Sequence, residues 1–402
     1  MSKMSWLGGM VTGSLLTAAG LALAGQMGQG PLNPNRLFSE TLAQISQYYV
    51  DPVDEDRLAD TALKGLVSSL DDYSKYLEGD DIRELQEMAD GHYSGLGLEV
   101  DFDAQKHLIV TSPIKDSPAA KAGIKAGDRV LAINGQDVEG KSLKALAHEL
   151  RGAPQDKVKL LVSRNSHQLR FAIAPADVQV DSVTSYPLDH HRLWLRISQF
   201  QYSTPLEVSQ AIKSARPQSV IIDMRGNPGG VFPAAVDVAD LFLSKGTIVS
   251  THGRASYANQ SFEAKPGDPF ETLPLLVLLD KDSASAAEIL AGALKDNGRA
   301  KVLGVQSFGK GSVQSLIPLG DGERALKITT AKYLTPSGVS IQGKGITPDI
   351  KAGTILADAK ARSLLKSHYP LTRKAETTVE GNWADDALLW EATSYLDNNH
   401  LK

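Results

Sequence analysis

The stretch that decides the fold is SVIIDMRGNPGG, residues 219–230. Its first half is apolar except for Ser219 and Asp223, and its second half is a glycine-rich turn. A short apolar run bounded by turn residues is typical of a strand buried on both faces, as in parallel sheets. Glycines after such a strand let the backbone approach another group closely. The stretch therefore predicts a buried strand that carries Gly229 and Gly230 on a loop at the edge of a sheet.

Three other runs are also expected to be buried strands, and helical segments alternate with them. They are residues 193–197, 275–279 and 325–330. Strands that alternate with helices indicate an α/β domain, which we place at residues 176–352.

Composition restricts the classes of function. The chain has 402 residues, of which 42% are hydrophobic and 22% charged, so two or three globular domains are expected. The net charge of -5 shows no basic footprint, which argues against nucleic acid as a partner. The absence of cysteine excludes thiol nucleophiles, disulfides and cysteine-based metal sites. No metal-ligand pattern is present, so we expect neither a metal nor an organic cofactor.

The N-terminus predicts export. Lys3 precedes an uncharged run over residues 6–25 that ends in Ala22-Leu23-Ala24. A cleaved signal peptide and a retained membrane anchor both fit this pattern, and a buried core helix is the alternative. We assign residues 1–35 to the signal or anchor and its linker.

The remaining regions differ in periodicity. Residues 36–90 show helical spacing, with Phe38, Leu42 and Ile45 on one face, and predict a helical region. Residues 91–175 contain short β-rich runs and tight turns, interrupted by a helix at 142–150. Residues 353–402 form a tail ending in an amphipathic helix at 384–396.

The β-rich region resembles a PDZ domain. The resemblance is carried by SGLGL at 94–98, SPAAKAGIKAGD at 117–128 and ING at 133–135. In PDZ domains a glycine-flexible loop directs backbone N–H groups at a peptide's terminal carboxylate. Here Leu96, Gly97 and Leu98 would supply them. A glycine-rich turn in another small β domain is the alternative.

Two segments predict a nucleophile and its base: DSASAAEI at 282–289 and FGKGSVQ at 308–314. A serine hydroxyl needs a neighbouring base, and a lysine can serve if its surroundings keep it neutral. Ser285 and Lys310 are the candidates. Ser285 with Glu288 also fits a helix capping box, which is the structural alternative. Small neighbours and a helix N-terminus, whose N–H groups can stabilise an oxyanion, favour the catalytic interpretation.

A phosphate-binding loop is the alternative for the lysine segment. Residues 304–310 fit G-x-x-x-x-G-K, but Gly311 stands where a serine or threonine would hold magnesium. Residues 312–317 alternate as a strand does, whereas a phosphate loop must open a helix.

Together these motifs resemble the carboxyl-terminal processing proteases, over about residues 37–350. Family members have a crotonase-like α/β core with an inserted PDZ domain. The resemblance implies Ser285 as nucleophile, Lys310 as general base and Gln314 as the group that orients the lysine. It also implies that Gly229 and the backbone of Ala286 hold the oxyanion. Ala287 breaks the family's usual second Ser-Ala pair without affecting the nucleophile.

The resemblance further implies an exported serine endopeptidase that cleaves proteins near their C-terminal tails. Expected partners are proteins with free apolar C-termini, an adaptor or activator, and further copies of the chain. Arg151 stands where the family has a basic residue that couples the PDZ domain to the active site, or is a solvated helix-end arginine. The expected location is the periplasm, with the N-terminal segment as an inner-membrane anchor if it is retained. A catalytically inactive PDZ scaffold that binds C-termini is the rival interpretation.

Overall fold

The structure is a computed structural model that describes residues 33–152, 156–188, 191–267, 269–320, 322–353 and 386–400. Residues 1–32 of the predicted signal or anchor and its linker (1–35), and most of the tail, lie outside these ranges. The chain divides into two compact units at Tyr76 and Leu77. None of the described helices is long and apolar enough to cross a bilayer.

The described part of the first unit, from residue 33 onward, contains the helices α1 (Pro34–Tyr48) and α2 (Glu55–Ser68). Asp54 caps α2 by accepting the backbone N–H of Arg57 at 3.1 Å. The predicted helical region is therefore helical over α1 and α2. Strand β1 (Lys75–Glu78) crosses the boundary, and the third helix, α3 (Gly79–Asp90), belongs to the second unit.

A six-stranded sheet forms the centre of the second unit. Its strands, in sheet order, are β10 (Val183–Leu188), β11 (Arg192–Ile197), β12 (Ser219–Asp223), β15 (Leu275–Leu279), β16 (Lys301–Gly304) and β19 (Ile350–Lys351). β10 is antiparallel to β11, and the other neighbours are parallel. The predicted strands at 193–197, 219–224 and 275–279 are confirmed as buried.

Alternating side chains serve the two faces of this sheet, as strand geometry requires. One face carries Val220 and Ile222 and packs against α6 (Thr204–Ala215), α7 (Phe232–Asp240) and α8 (Ala286–Asp296). The opposite face carries Ile221 and packs against α9 (Ala387–His400). The apolar stripe predicted for the C-terminal helix contacts this second face.

A second, antiparallel sheet contains β13 (Thr247–Gly253), β14 (Gln260–Glu263), β17 (Ser312–Leu319) and β18 (Arg324–Leu334). The predicted strand at 325–330 lies in β18. Its assignment as a buried strand is wrong, because between Ala325 and Ala331 the residues of β18 are half-buried and pair antiparallel with β17. The strand predicted at 312–317 is confirmed as part of β17.

Residues 96–175 form a β-rich insert with its own core. Its strands are β3 (Leu98–Phe102), β4 (Leu108–Pro113), β5 (Arg129–Ile133), β6 (Gln136–Asp137), β7 (Val158–Arg164) and β8 (His167–Ile173). Helices α4 (Pro118–Ala122) and α5 (Leu143–Arg151) accompany them. The insert leaves from β2 (His92–Gly95) and returns through β9 (Ala176–Gln179), which pair with each other.

Candidate active site

Loops after three neighbouring parallel strands meet at the carboxyl edge of the central sheet, the usual position of sites in open α/β sheets. The loop after β12 carries Gly229, the loop after β15 carries Ser285, and the loop after β16 carries Lys310. Backbone hydrogen bonds join them. Ala284 N–H donates to the Asn227 carbonyl at 2.9 Å, and Phe308 N–H donates to the Ser283 carbonyl at 3.0 Å.

Ser285 has an unusual backbone conformation, with φ 55° and ψ -113°. Residues other than glycine rarely adopt positive φ, and such strain costs on the order of 1–3 kcal/mol. Ser285 immediately precedes α8, whose residues from Ala286 to Leu294 are all buried. The Ala286 N–H belongs to the first helical turn, where backbone donors have no intrahelical acceptor. The geometry thus places the serine side chain on a sharp turn, beside a helix N-terminus.

Glu288 connects the serine segment with the lysine segment. Its side chain is fully buried, and its carboxylate accepts four hydrogen bonds. One oxygen accepts from Ser307 Oγ at 2.6 Å and Gly309 N–H at 2.7 Å. The other accepts from Ser285 N–H at 2.8 Å and Lys310 N–H at 2.9 Å. Glu288 thus fixes the backbones of both candidate catalytic residues.

The lysine loop packs tightly on a neighbouring segment. A Cβ on Gly309 would lie 2.9 Å from the backbone nitrogens of Lys344 and Gly345, and one on Gly311 would lie 2.6 Å from that of Gln342. Tyr333 also donates its hydroxyl to the Lys310 carbonyl. The two glycines beside the lysine are therefore needed for close backbone approach.

Ser285, Lys310 and Gln314 line one cavity of about 480 Å³. Apolar side chains from α3, α7, β17 and the loops before α6 and α7 complete its walls. They include Leu85, Met88, Phe200, Val231, Phe232 and Val313. A concave, largely apolar site with a few convergent polar groups is typical of ligand and substrate pockets.

The amide nitrogen of Gln314 donates hydrogen bonds to two hydroxyl groups on β17 and β18. Nε2 donates to Ser312 Oγ at 2.9 Å and to Thr329 Oγ1 at 3.2 Å. Orientation of the Lys310 ammonium would require the amide oxygen, so that role stays a prediction.

Gly229 lies against Ser285. A Cβ there would lie 2.7 Å from Ser285 Cβ and 3.1 Å from the Ala286 nitrogen, and φ is 107°, so only glycine fits. Its N–H, however, donates to Asn227 Oδ1 at 2.8 Å. Asn227 is fully buried, and its Nδ2 donates to the Ile197 carbonyl at 2.9 Å. The predicted oxyanion donor therefore has another acceptor in this conformation, while the adjacent Gly230 lines the cavity.

The predicted peptide-binding loop is held by its carbonyl groups. Leu96 accepts the Ala119 N–H at 2.9 Å, and Gly97 accepts the Ile114 N–H at 2.9 Å and Ser117 Oγ at 3.1 Å. A Cβ on Gly97 would lie 2.2 Å from Ser117 Cβ. The loop consequently has a fixed shape that only glycine at position 97 allows.

Arg151 ends α5 and reaches α3. Its Nη1 lies 2.7 Å from Glu87 Oε2, and its guanidinium lies 5.8 Å from the centre of the Tyr93 ring. A second contact between the same helices joins Lys144 Nζ to Asp81 at 3.7 Å. Because α3 carries Leu85 and Met88 in the cavity wall, Arg151 connects the insert with a helix of the candidate site.

Sequence comparisons identify the family. The family model described as peptidase family S41 matches residues 193–352, and a PDZ model matches residues 109–164. A carboxy-terminal-processing protease of Bartonella bacilliformis is 40% identical over 323 residues, which is 78% of this chain and 74% of that protein. The chain belongs to the carboxy-terminal processing proteases of peptidase family S41. CtpA of Bacillus subtilis, another member, is 35% identical over 316 residues, 77% of this chain and 67% of CtpA.

Two solved structures are similar to this chain. An S41 protease structure from Bacteroides fragilis NCTC 9343 has a TM-score of 0.53 at 15% identity, covering 89% of this chain and 96% of that one. This likeness shows a shared fold. The photosystem II D1 C-terminal processing protease is 27% identical with a TM-score of 0.46, covering 81% and 95%. The predicted α/β core with an inserted PDZ domain is confirmed, and the protein is a serine endopeptidase of the carboxy-terminal processing family.

Sequence reasoning missed the main role of Glu288, which it read only as support for the start of α8. The signal was present as the third residue after Ser285. Its bonds to Ser307, Gly309 and Lys310 span 19 to 22 positions and depend on the packing of two loops.

Among the described residues, no cluster of three or more histidine, aspartate or glutamate side chains could hold a metal ion.

Proposed function

We propose that this protein is an exported endopeptidase that cleaves proteins near their C-terminal tails with a Ser285/Lys310 dyad. The observation that carries the proposal is the meeting of Ser285, Lys310 and Gln314 on one cavity, with Ser285 on a strained turn before a buried helix. The apolar wall of that cavity suits an apolar substrate side chain beside the cleaved bond.

The reaction would proceed through an acyl-enzyme. Ser285 Oγ attacks the peptide carbonyl carbon while its proton passes to the neutral amine of Lys310. The Ala286 N–H stabilises the oxyanion, and we propose Gly229 as the second donor once the Asn227 side chain turns away from it. The C–N bond then breaks, and Lys310 returns the proton to the leaving amine. Water attacks the ester with Lys310 again as base, which frees the second product and Ser285.

Burial favours the neutral amine that this cycle requires. A substrate that fills the cavity would remove water from Lys310, and we propose that Gln314 then orients the amine.

The PDZ domain would select the substrate by its free C-terminus, through the N–H groups of Leu96, Gly97 and Leu98. Arg151 would transmit the position of this domain to α3.

We also propose export by the N-terminal segment to the periplasm, function as a homo-oligomer, and regulation by an adaptor or activator protein. Cell fractionation and light scattering of the purified chain test the location and the assembly.

Substitution of the dyad tests the chemistry. Ser285→Ala and Lys310→Ala should each reduce cleavage of a tail peptide by roughly a thousandfold or more, because a catalytic unit fails when either member is lost. Circular dichroism should show that both variants remain folded. The exposed residues Ser214 and Lys281 supply matched controls, Ser214→Ala and Lys281→Ala. Near-normal turnover in either dyad variant would exclude this assignment. If the wild type binds the tail peptide but does not cleave it, the catalytically inactive scaffold is favoured.

A further inference from the structure

The glycine loop, residues 225–230, begins at Arg225, and two carboxylates hold the side chain of this arginine. Asp223, at the end of β12, accepts hydrogen bonds from its Nε at 2.9 Å and from its Nη2 at 2.6 Å. Asp386 accepts from its Nη1 at 2.9 Å and from its Nη2 at 2.6 Å. Bidentate pairs of this kind fix both the position and the orientation of a guanidinium group.

Asp386 directly precedes α9, and its side chain also caps this helix. Its Oδ1 accepts the backbone N–H of Leu388 at 3.1 Å and that of Leu389 at 3.0 Å, which are the contacts of an N-cap residue. The apolar side of α9 is buried on the face of the central sheet that carries Ile221. The match to the family model ends at residue 352, so α9 lies beyond it. One carboxylate thus joins the C-terminal helix to the first residue of the glycine loop.

The backbone after Arg225 continues this connection to the serine segment. The Gly226 N–H donates to Asp280 Oδ1 at 2.9 Å, and the same oxygen accepts the Ser283 N–H at 3.0 Å. The glycine loop is therefore joined at its start to the residues that lead to Ser285. A displacement of Arg225 would change the position of this loop relative to Ser285.

We propose that Asp386 is a positioning residue of the active site, which holds the glycine loop in its catalytic geometry through Arg225. The proposal rests on the proposed chemistry of Ser285, in which this loop supplies an oxyanion donor. Asp386 is not among the residues that line the cavity, so it acts through Arg225. The side chains of Arg225 and Asp386 are only 20% and 23% exposed, so water screens their pair only in part. The C-terminal helix then belongs to the catalytic assembly.

Asp386→Ser separates this role from helix capping. Serine is as good an N-cap as aspartate, but its single short hydroxyl cannot form a bidentate pair with Arg225. We expect kcat for a tail peptide, corrected for the folded fraction seen by circular dichroism, to fall roughly tenfold, because a small misplacement of catalytic groups slows the chemical step. KM should stay unchanged, since no contact with the bound peptide is lost. Asp386→Asn, which keeps one oxygen for Arg225, should give a smaller fall.

Asp397→Ser is the matched control on the same helix. Asp397 pairs with the buried Arg192 at the start of β11, whereas Arg225 follows the end of the neighbouring strand β12. The control should lower stability and keep kcat. Equal falls in kcat for Asp386→Ser and Asp397→Ser would show that α9 contributes only stability, and would overturn the proposal. Unchanged cleavage by Ser285→Ala would instead overturn the proposed function itself.

Nuclear magnetic resonance tests the connection without a substrate. Labelling the deuterated full chain with ¹³C-carbonyl proline and ¹⁵N-glycine selects Pro-Gly steps, which occur only before Gly229 and Gly267. Asp386→Ser should shift the amide signal of Gly229 and leave that of Gly267, on the loop after β14, unchanged. Asp397→Ser should leave both signals unchanged. An unchanged Gly229 signal in Asp386→Ser would exclude the positioning role even if the protein is a Ser285 endopeptidase.

Discussion

At the scale of single residues, one buried carboxylate holds the two candidate catalytic segments in register. Each oxygen of Glu288 accepts two hydrogen bonds, and the four donors lie on the serine segment and the loop that carries Lys310. A buried charge is stable only when its hydrogen bonds are satisfied, and here four donors satisfy it. The distance between Ser285 and Lys310 therefore depends on this side chain.

Glu288→Gln should keep the shape of the side chain and lose part of this network, because an amide nitrogen would face N–H donors. We expect a loss of about 1–3 kcal/mol in the free energy of unfolding and roughly a tenfold or greater fall in kcat. Urea unfolding and peptide cleavage measure the two effects. Glu139→Gln, at an exposed position, is the control, and equal kcat in wild type and Glu288→Gln would contradict this role.

Short motifs carry Ser285, Lys310 and Gln314, so the sequence could nominate them as site residues; the structure brings all three to one cavity, and their roles stay predictions. The sequence could not show that the Gly229 N–H donates to the Asn227 side chain, since the turn sequence does not specify which acceptor this N–H contacts. The half-buried β18 was also mistaken for a buried strand. Its apolar residues resemble those of the central sheet, and only pairing partners distinguish the two.

At the scale of secondary-structure elements, α3 belongs to the candidate site although its sequence continues the helical region before it. Its Leu85 and Met88 line the cavity, and its Glu87 pairs with Arg151 of α5. The side chains of Glu87 and Arg151 are 19% and 31% exposed, so solvent weakens the pair only in part. A movement of the PDZ domain would thus displace a wall of the cavity.

A double-mutant cycle on this pair tests the connection. Arg151→Met and Glu87→Gln should each change kcat/KM about two- to fivefold, and the double variant should show no further change, because both remove the same contact. Arg83→Met is the control, since Arg83 forms a 2.7 Å pair with Asp80 on the same helix, where both side chains are more than half exposed. Additive effects of the two substitutions would show that the residues act separately.

At the scale of the whole molecule, helix α9 covers the face of the central sheet opposite α8. An ionic network at its start supports this contact: Asp386 accepts two hydrogen bonds from Arg225, which also binds Asp223. Burial disfavours the charge on Asp386, but Arg225 outweighs it and holds the pKa of this carboxyl below its usual value. Burial likewise opposes the charge on Arg225, and the two aspartates raise its pKa.

A lowered pKa in the folded state stabilises the protein above the pKa of the unfolded state, near 3.9, and this contribution is lost as the pH falls through the lower folded value. Asp386→Asn should therefore reduce the free energy of unfolding by about 1–2 kcal/mol at pH 7, with a shrinking difference from wild type below about pH 4. Urea titrations between pH 7 and pH 3 measure this. Asp282→Asn, at an exposed aspartate, should show no such trend, and a pH-independent difference for Asp386→Asn would contradict the ionic role.

The pairing of β2 with β9 has a consequence for the history of such chains. Gly95 and Ala176 are register partners, so the polypeptide enters and leaves the PDZ domain at a single point. A short hairpin turn could join these two residues in place of the whole insert. In evolution the core could therefore gain, exchange or lose this insert while the candidate active site stayed intact.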